Sequence, residues 1–359
     1  MTYRNIMQIP ARPKLSLAEI VAEHKAMAEA AANAREALAA RGGPLSGLYR
    51  ARAEKMRRCG KRLTIREFEA EDGTIRQVPS LVYNCRQREC PLSQFTIRGK
   101  NRRKATTLFN ATFERHPDKR IIFATFTMPN VDGVDLGDAI NVLNRGWTRM
   151  TRTAAWRRSI EGYLQCIEVT YSPERNDYHA HRHAVLVVDH SYFTRGDSKY
   201  IPQAKLAAMW TSAMQSPVPL IVDVRVPKAR PGETMLDAAI RQVVKYVFKS
   251  GEFYERTATG YRADPDVLEA MYVGLAGRRM FGFGGIVRQT AQALKLELAF
   301  DEAEDVAADG TPDWLIDADV DLDGPGDILC PEPRSAYALC FEPGSLFSRP
   351  AYVYAGEGA

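Results

Sequence analysis

The chain has 359 residues, with 49 Lys+Arg against 44 Asp+Glu, a formal net charge of +5, 45% apolar residues and 26% charged ones. That is ordinary globular composition, and it excludes a collagen, a coiled-coil rod and a largely disordered chain. No window approaches 18 uninterrupted apolar residues and no apolar core of signal-peptide length follows the first basic residues, so a cytosolic protein without a membrane span is expected. Its six cysteines should there be reduced thiols or metal ligands, not a disulfide framework.

Four segments follow in chain order. Residues 1–49 hold an arm and one helix: 17–41 is rich in strong helix formers, with Ser16 placed as N-cap and Gly42-Gly43-Pro44 as the stop. This helix reads as scaffold. Residues 50–105 are Cys- and Arg-rich; from Arg50 to Lys104 there are 16 Lys/Arg and 6 Asp/Glu. Residues 106–290 alternate strand-like and helical runs. The strand candidates are 120–128, 163–171, 183–188 and 218–226, all rich in Val, Ile, Thr, Tyr and Phe. Helical patterns lie near 136–160, 202–215 and 233–250, and the Gly-rich 277–285 reads as a hinge or turn. This order predicts an α+β domain on a mostly antiparallel sheet.

Residues 291–359 form an acidic tail of weak periodicity. Between Glu297 and Asp327 there are 12 Asp/Glu and no Lys/Arg. The modest total charge therefore conceals a strongly basic body and an acidic stretch, a pattern of polyanion-binding proteins. The tail is expected to compete with a polyanion for the basic surface. The last thirty residues carry no readable motif.

Three of the six histidines occupy one short string, Tyr178-His179-Ala180-His181-Arg182-His183. At strand period His179, His181 and His183 share a face, and imidazoles at i and i+2 can hold one divalent metal. Glu168, on the preceding strand candidate, offers a third ligand if the two strands pair; otherwise it is a surface carboxylate beside Arg182 or Arg175, and His179 competes for the place. A His-His-Glu set suits Mg²⁺ or Mn²⁺ at least as well as Zn²⁺. Further on, 236–249 reads as an amphipathic helix with Leu236, Ile240, Val243, Val244 and Val247 on its apolar face. Gln242, Tyr246 and Lys249 share the other face. A phenol with an ammonium one turn away is suited to act as a nucleophile.

Taken in order, these features resemble the rolling-circle plasmid replication initiators of the HUH endonuclease group, single-tyrosine type, over about residues 50–290. The matching elements are Thr125-Phe126-Thr127 at a strand end, Gly162-Tyr163 through Tyr171 followed by the His pair, and Lys245-Tyr246-Val247-Phe248-Lys249. The upstream cysteine region matches as Cys59-Gly60 and Cys85-Arg86-Gln87-Arg88-Glu89-Cys90-Pro91. The resemblance implies an RRM-like antiparallel sheet with the histidines on a central strand and Tyr246 on a neighbouring helix. It implies that His181 and His183 hold a divalent cation. It also implies that Tyr246 attacks the scissile phosphorus to give a 5′-phosphotyrosyl adduct and a free 3′-OH primer, aided by Lys249, and that DNA is rejoined at termination.

Origin DNA is the implied partner, followed by a host helicase and DNA polymerase. Arg86, Arg88, Arg98, Lys100, Arg102, Arg103 and Lys104 are the candidates for the DNA backbone. Relaxases commonly place their tyrosine before the histidines and paired-tyrosine enzymes show Y-x-x-x-Y; neither holds here, which sets an HUH transposase or a relaxase behind the initiator reading, while a non-catalytic metal-containing DNA-binding regulator is the rival that binds without cutting.

The chain departs from the family pattern at three places. Arg182 stands where a bulky apolar residue is usual, and it must snorkel, find an acid or reach DNA. Gln242 occupies the position where some members carry a terminating Glu, so termination needs another carboxylate, a second tyrosine such as Tyr254 or a different scheme. Cys59, Cys85 and Cys90 are one thiol short of a structural zinc set, with Cys90-Pro91-Leu92-Ser93 where some relatives offer C-P-x-C. His116 is the candidate fourth ligand.

Overall fold

The computed structural model describes residues 17–69, 75–81, 83–194, 199–230, 232–244, 250–294, 335–340 and 351–356, with backbone alone for 17–18, 62–69, 75–81, 250–251, 335–340 and 351–356. The chain opens with α1 (Leu17–Ala40) and α2 (Ser46–Arg58), followed by β1 (Arg62–Glu69), β2 (Ile75–Leu81) and the long α3 (Pro91–Arg115). Next come β3 (Lys119–Phe126), α4 (Leu136–Thr151), α5 (Ala154–Ser159), β4 (Gly162–Ser172) and β5 (Asp177–Asp189). Then follow α6 (Gln203–Met214), β6 (Val222–Arg225), α7 (Met235–Val243), the short α8 (Ser250–Phe253), β7 (Tyr254–Thr257) and β8 (Gly260–Ala263). The last elements are α9 (Pro265–Leu275), β9 (Phe281–Gly285), α10 (Ile286–Ala293), β10 (Ser335–Cys340) and β11 (Ala351–Gly356).

The principal sheet runs β6-β3-β5-β4-β9, and every neighbouring pair is antiparallel. The histidine strand β5 is therefore central, and the α+β architecture with an RRM-like sheet is as the sequence predicts. Register fixes what each face carries. Arg182 and its alternating neighbours look toward α4, where Phe126, Trp147, Trp156, Trp210 and Tyr163 pack edge-on or tilted with ring centroids 5.1–6.5 Å apart. Such pairs contribute about 0.5–1.5 kcal/mol each beyond their burial. His181, His183, Val185 and Val187 look the other way. Gly162, paired with Val187, sits directly under Ile286 and Val287 of α10 on that face. Helix α10 touches α3, α3 touches α7, and α7 lies against β3, β4 and β5. The basic helix and the histidines thus share one side of the sheet.

Two regions differ from what the sequence predicts. The Gly-rich 277–285 is no hinge: Phe281–Gly285 forms the edge strand β9 on β4. Its glycines serve close approach, since a Cβ at Gly284 would fall 2.6 Å from the Tyr163 ring, and one at Gly285 (φ 61°) 2.0 Å from the Glu161 carbonyl. The tail is also more than an acidic extension. Its strands β10 and β11 join β1 and β2 in a four-stranded antiparallel sheet, β11-β10-β1-β2, with Arg62 opposite Cys340. The acidic stretch 297–327 and Ser16 lie outside the described residues. Helix α3 passes without a break through residues 105 and 106, and one apolar core runs from Val21 to Ala291.

Candidate metal centre and nucleic-acid interface

Strand pairing assembles the centre. Glu168 of β4 lies directly opposite His181 of β5, and Thr125 of β3 opposite His183. Nε2 of His181 stands 3.0 Å, and Nε2 of His183 2.6 Å, from the same carboxylate oxygen, Glu168 Oε2. All three side chains are buried. Burial acts to raise the Glu168 carboxyl, but the hydrogen bonds from His181 and His183 outweigh it and hold the group well below the usual carboxylate range. Its other oxygen, Oε1, and Nδ1 of His181 are buried with no hydrogen-bond partner. A desolvated carboxylate oxygen left unpaired is costly.

A divalent cation fits this donor set. It would accept both imidazole Nε2 lone pairs and the carboxylate, whose ligand atoms already lie within 4.8 Å of one another. Thr125 serves either state of His183, because its hydroxyl, 3.0 Å from Nδ1, both donates and accepts. With Nε2 committed to a cation, Nδ1–H donates to Thr125 and the ring orientation is held. Phe123 stacks on the same ring at 5.4 Å. The only sequence signal for the orienting role of Thr125 is the Thr125-Phe126-Thr127 pattern, which gives the residue no partner.

The other predicted residues divide. His179 stays outside the group, one register step away opposite Thr170, with its ring 5.2 Å from that of His181. Burial and then the nearby His181 lower its pKa. Tyr246 and Lys249 lie outside the described residues. The chain enters their segment at the buried Val244, just after α7, and leaves it at α8, which lies against β4. Gln242 is half-buried on α7.

Arg182 meets none of the three fates expected of it. It is fully buried, donates to Asn144 Oδ1 at 2.7 Å and lies 5.0 Å above the Trp147 ring. Burial brings its guanidinium down to about 9. Tyr254 is likewise no spare nucleophile, being buried with its hydroxyl donated to the Glu89 carbonyl and its pKa raised by burial.

Among the basic candidates Arg88 is corrected. It is buried and donates to the carbonyls of Leu275 and Arg278, so it braces α9 and cannot meet DNA. Arg86 is exposed, and Arg98, Lys100, Arg102, Arg103 and Lys104 are half-buried on α3, flanking the buried stripe of Ile97, Asn101, Ala105 and Leu108. Cys59, Cys85 and Cys90 converge, each buried and each a free thiol. His116 does not join them, since it caps the far end of α3.

A buried histidine pair on the central strand of an antiparallel α+β sheet is what the resemblance to the HUH group implies, and here the pair shares one carboxylate, with a basic helix on the same side. Comparison with known proteins agrees. The Replication protein family model matches residues 80–316. A Protein rep of Lactiplantibacillus plantarum is 30% identical over 249 residues, covering 68% of this chain and 76% of its own. A Protein rep of Streptococcus pneumoniae serotype 2 is 28% identical over 244 residues, covering 68% and 72%. One of Bacillus amyloliquefaciens is 26% identical over 267 residues, covering 69% and 74%. No solved structure matches significantly. The chain belongs to the replication-protein family of rolling-circle plasmid initiators. Among the described residues no helix is long and apolar enough to cross a membrane.

Proposed function

We propose that the protein starts plasmid rolling-circle replication by cutting one strand at the double-strand origin with Tyr246, and rejoins DNA at termination. The observation that carries this reading is the convergence of His181 and His183 on one Glu168 oxygen while the other oxygen is left unpaired. His181, His183 and Glu168 would hold Mg²⁺ or Mn²⁺; when bound, such an ion polarises the scissile phosphodiester and stabilises charge on its oxygens. The phenolate of Tyr246 attacks phosphorus, the P–O3′ bond breaks, and the chain becomes joined to the 5′ phosphate. The released 3′-OH is then a primer for a host polymerase, with a host helicase opening the duplex. Lys249 steadies the phenolate and the phosphate charge.

Arg86 and the basic side chains of α3 neutralise backbone phosphates on the histidine side of the sheet. Segments 50–105 and 106–290 would thus divide the work between duplex binding and strand cutting. With Gln242 unable to act as a base and Tyr254 engaged in the core, rejoining falls to another carboxylate or to a different scheme. The experiment is incubation of supercoiled origin plasmid with Mn²⁺, followed by denaturing electrophoresis. Nicked circles bearing a covalent protein adduct are expected from the native chain and none from Tyr246→Phe; an adduct formed by Tyr246→Phe would remove the nucleophile assignment.

A further inference from the structure

The loop joining β2 to α3 is an unusual piece of core. From Cys85 to Cys90 only Arg86 faces solvent. Gln87 donates to the Arg52 carbonyl at 2.9 Å, and Glu89 is paired with the buried Arg35 of α1 and with Arg52 of α2. Three thiols meet inside this framework: Cys59 just after α2, Cys85 in the loop and Cys90 at the start of α3. A fourth polar atom stands among them. Ser93 Oγ lies 3.1 Å from Cys85 Sγ and 3.4 Å from Cys59 Sγ, and Ser93 is fully buried.

The orientation of that hydroxyl is fixed by its neighbours. Asn84 Nδ2 donates to Thr96 Oγ1 at 2.8 Å, which turns Asn84 Oδ1 toward Ser93. Ser93 donates its proton to that oxygen at 2.5 Å, and the Arg86 amide donates to it as well at 2.9 Å. With the proton committed to Asn84, the lone pairs of Ser93 Oγ face the sulfurs. The Cys85 amide also donates to Cys59 Sγ at 3.4 Å, a contact that favours a thiolate. The chain turns through positive φ directly after two of the cysteines, at Gly60 (64°) and Arg86 (51°), the latter an uncommon conformation for a residue with a side chain.

We infer that Cys59, Cys85, Cys90 and the Ser93 hydroxyl form a four-position structural site for zinc. The three sulfurs lie within 4.8 Å of one another, and a tetrahedral zinc with thiolates at about 2.3 Å needs them roughly 3.8 Å apart. Ser93 takes the position that a fourth cysteine would hold. The ion ties the end of α2, the loop and the first turn of α3 into one unit, which sets the base of the basic helix. This site is separate from the histidine centre, and its loss and the loss of cutting are independent results.

The test uses the full chain carrying His181→Ala/His183→Ala, so that zinc on the histidines cannot contribute, purified without a metal-binding tag. Elemental analysis after dialysis should find one zinc per chain, and Co²⁺ exchanged into the site should show sulfur-to-cobalt charge transfer in the near ultraviolet. Ser93→Cys should hold zinc against a competing chelator at least about tenfold more tightly, and Asn84→Ala, which frees the Ser93 proton, about tenfold more weakly. Cys90→Ser should lose the ion; should that variant not fold, Ser93→Cys and the cobalt spectrum still decide. A zinc-free chain, cobalt without charge transfer, or unchanged zinc affinity in Ser93→Cys would each overturn the site.

Discussion

Two of the clusters of metal-ligating side chains among the described residues are built in opposite ways. The histidine centre is made by strands: β3, β4 and β5 deliver Thr125, His183, His181 and Glu168 through register alone. The cysteine cluster is made by ends of elements, the C-terminus of α2, a loop and the first turn of α3, held by buried ion pairs and carbonyl contacts. Strand register is rigid and periodic, so it places donors for chemistry with positions open to a substrate. Loop ends are placed by their surroundings, so they suit a closed site whose task is to fix those ends.

The largest expected effect falls on the strand-built centre. His181→Ala/His183→Ala should reduce Mn²⁺-dependent nicking by at least about 10³-fold, since cation and charge stabilisation disappear together. Glu168→Gln should come close behind, because the amide keeps the shape and removes the charge; titration with Mn²⁺ by calorimetry would show the weakened site. Thr125→Val removes only the support of His183, and a loss of about 10–100-fold in cation affinity is expected.

Arg182 sharpens the contrast between the two faces of β5. It lies between the two ligands yet belongs wholly to the packed face, with Nε and Nη1 buried and unpartnered. Arg182→Met should therefore leave thermal stability within about 1 kcal/mol of the native chain or raise it, as with other buried charges replaced by apolar groups of similar volume. A large drop in the melting temperature would mean that the Asn144 and Trp147 contacts contribute more than burial costs. The smallest effect concerns the acidic stretch. Deleting 297–327 should tighten binding to non-specific duplex and steepen its salt dependence, read by fluorescence anisotropy.

What can be read from the sequence follows the same division. Alternation of period two puts His181 and His183 on one face, and the opposite orientation of Glu168 to Ile167 and Val169 points to its partnership, so the amino-acid pattern alone outlines the centre. His179 satisfies the same alternation and fails because the pairing places it opposite Thr170, one step beyond the carboxylate. Strand β9 is hidden because Phe281-Gly282-Phe283-Gly284-Gly285 has turn composition; only the close approach of β4 makes those glycines a strand requirement. Strands β1 and β2 are obscured by charge, and β10 pairs with a segment some 270 residues earlier, a contact that no local pattern encodes. Arg88 resembles the other basic residues of its segment and is core, because burial of a loop is decided by what packs on it.

Cutting of supercoiled origin plasmid in Mn²⁺, with the native chain beside His181→Ala/His183→Ala, tests most directly whether the histidine–carboxylate centre is where the strand is cut. Denaturing electrophoresis should show nicked strands with protein attached for the native chain and intact circles for the variant. Equal cleavage by the two would contradict a histidine–carboxylate metal centre as the site of strand scission.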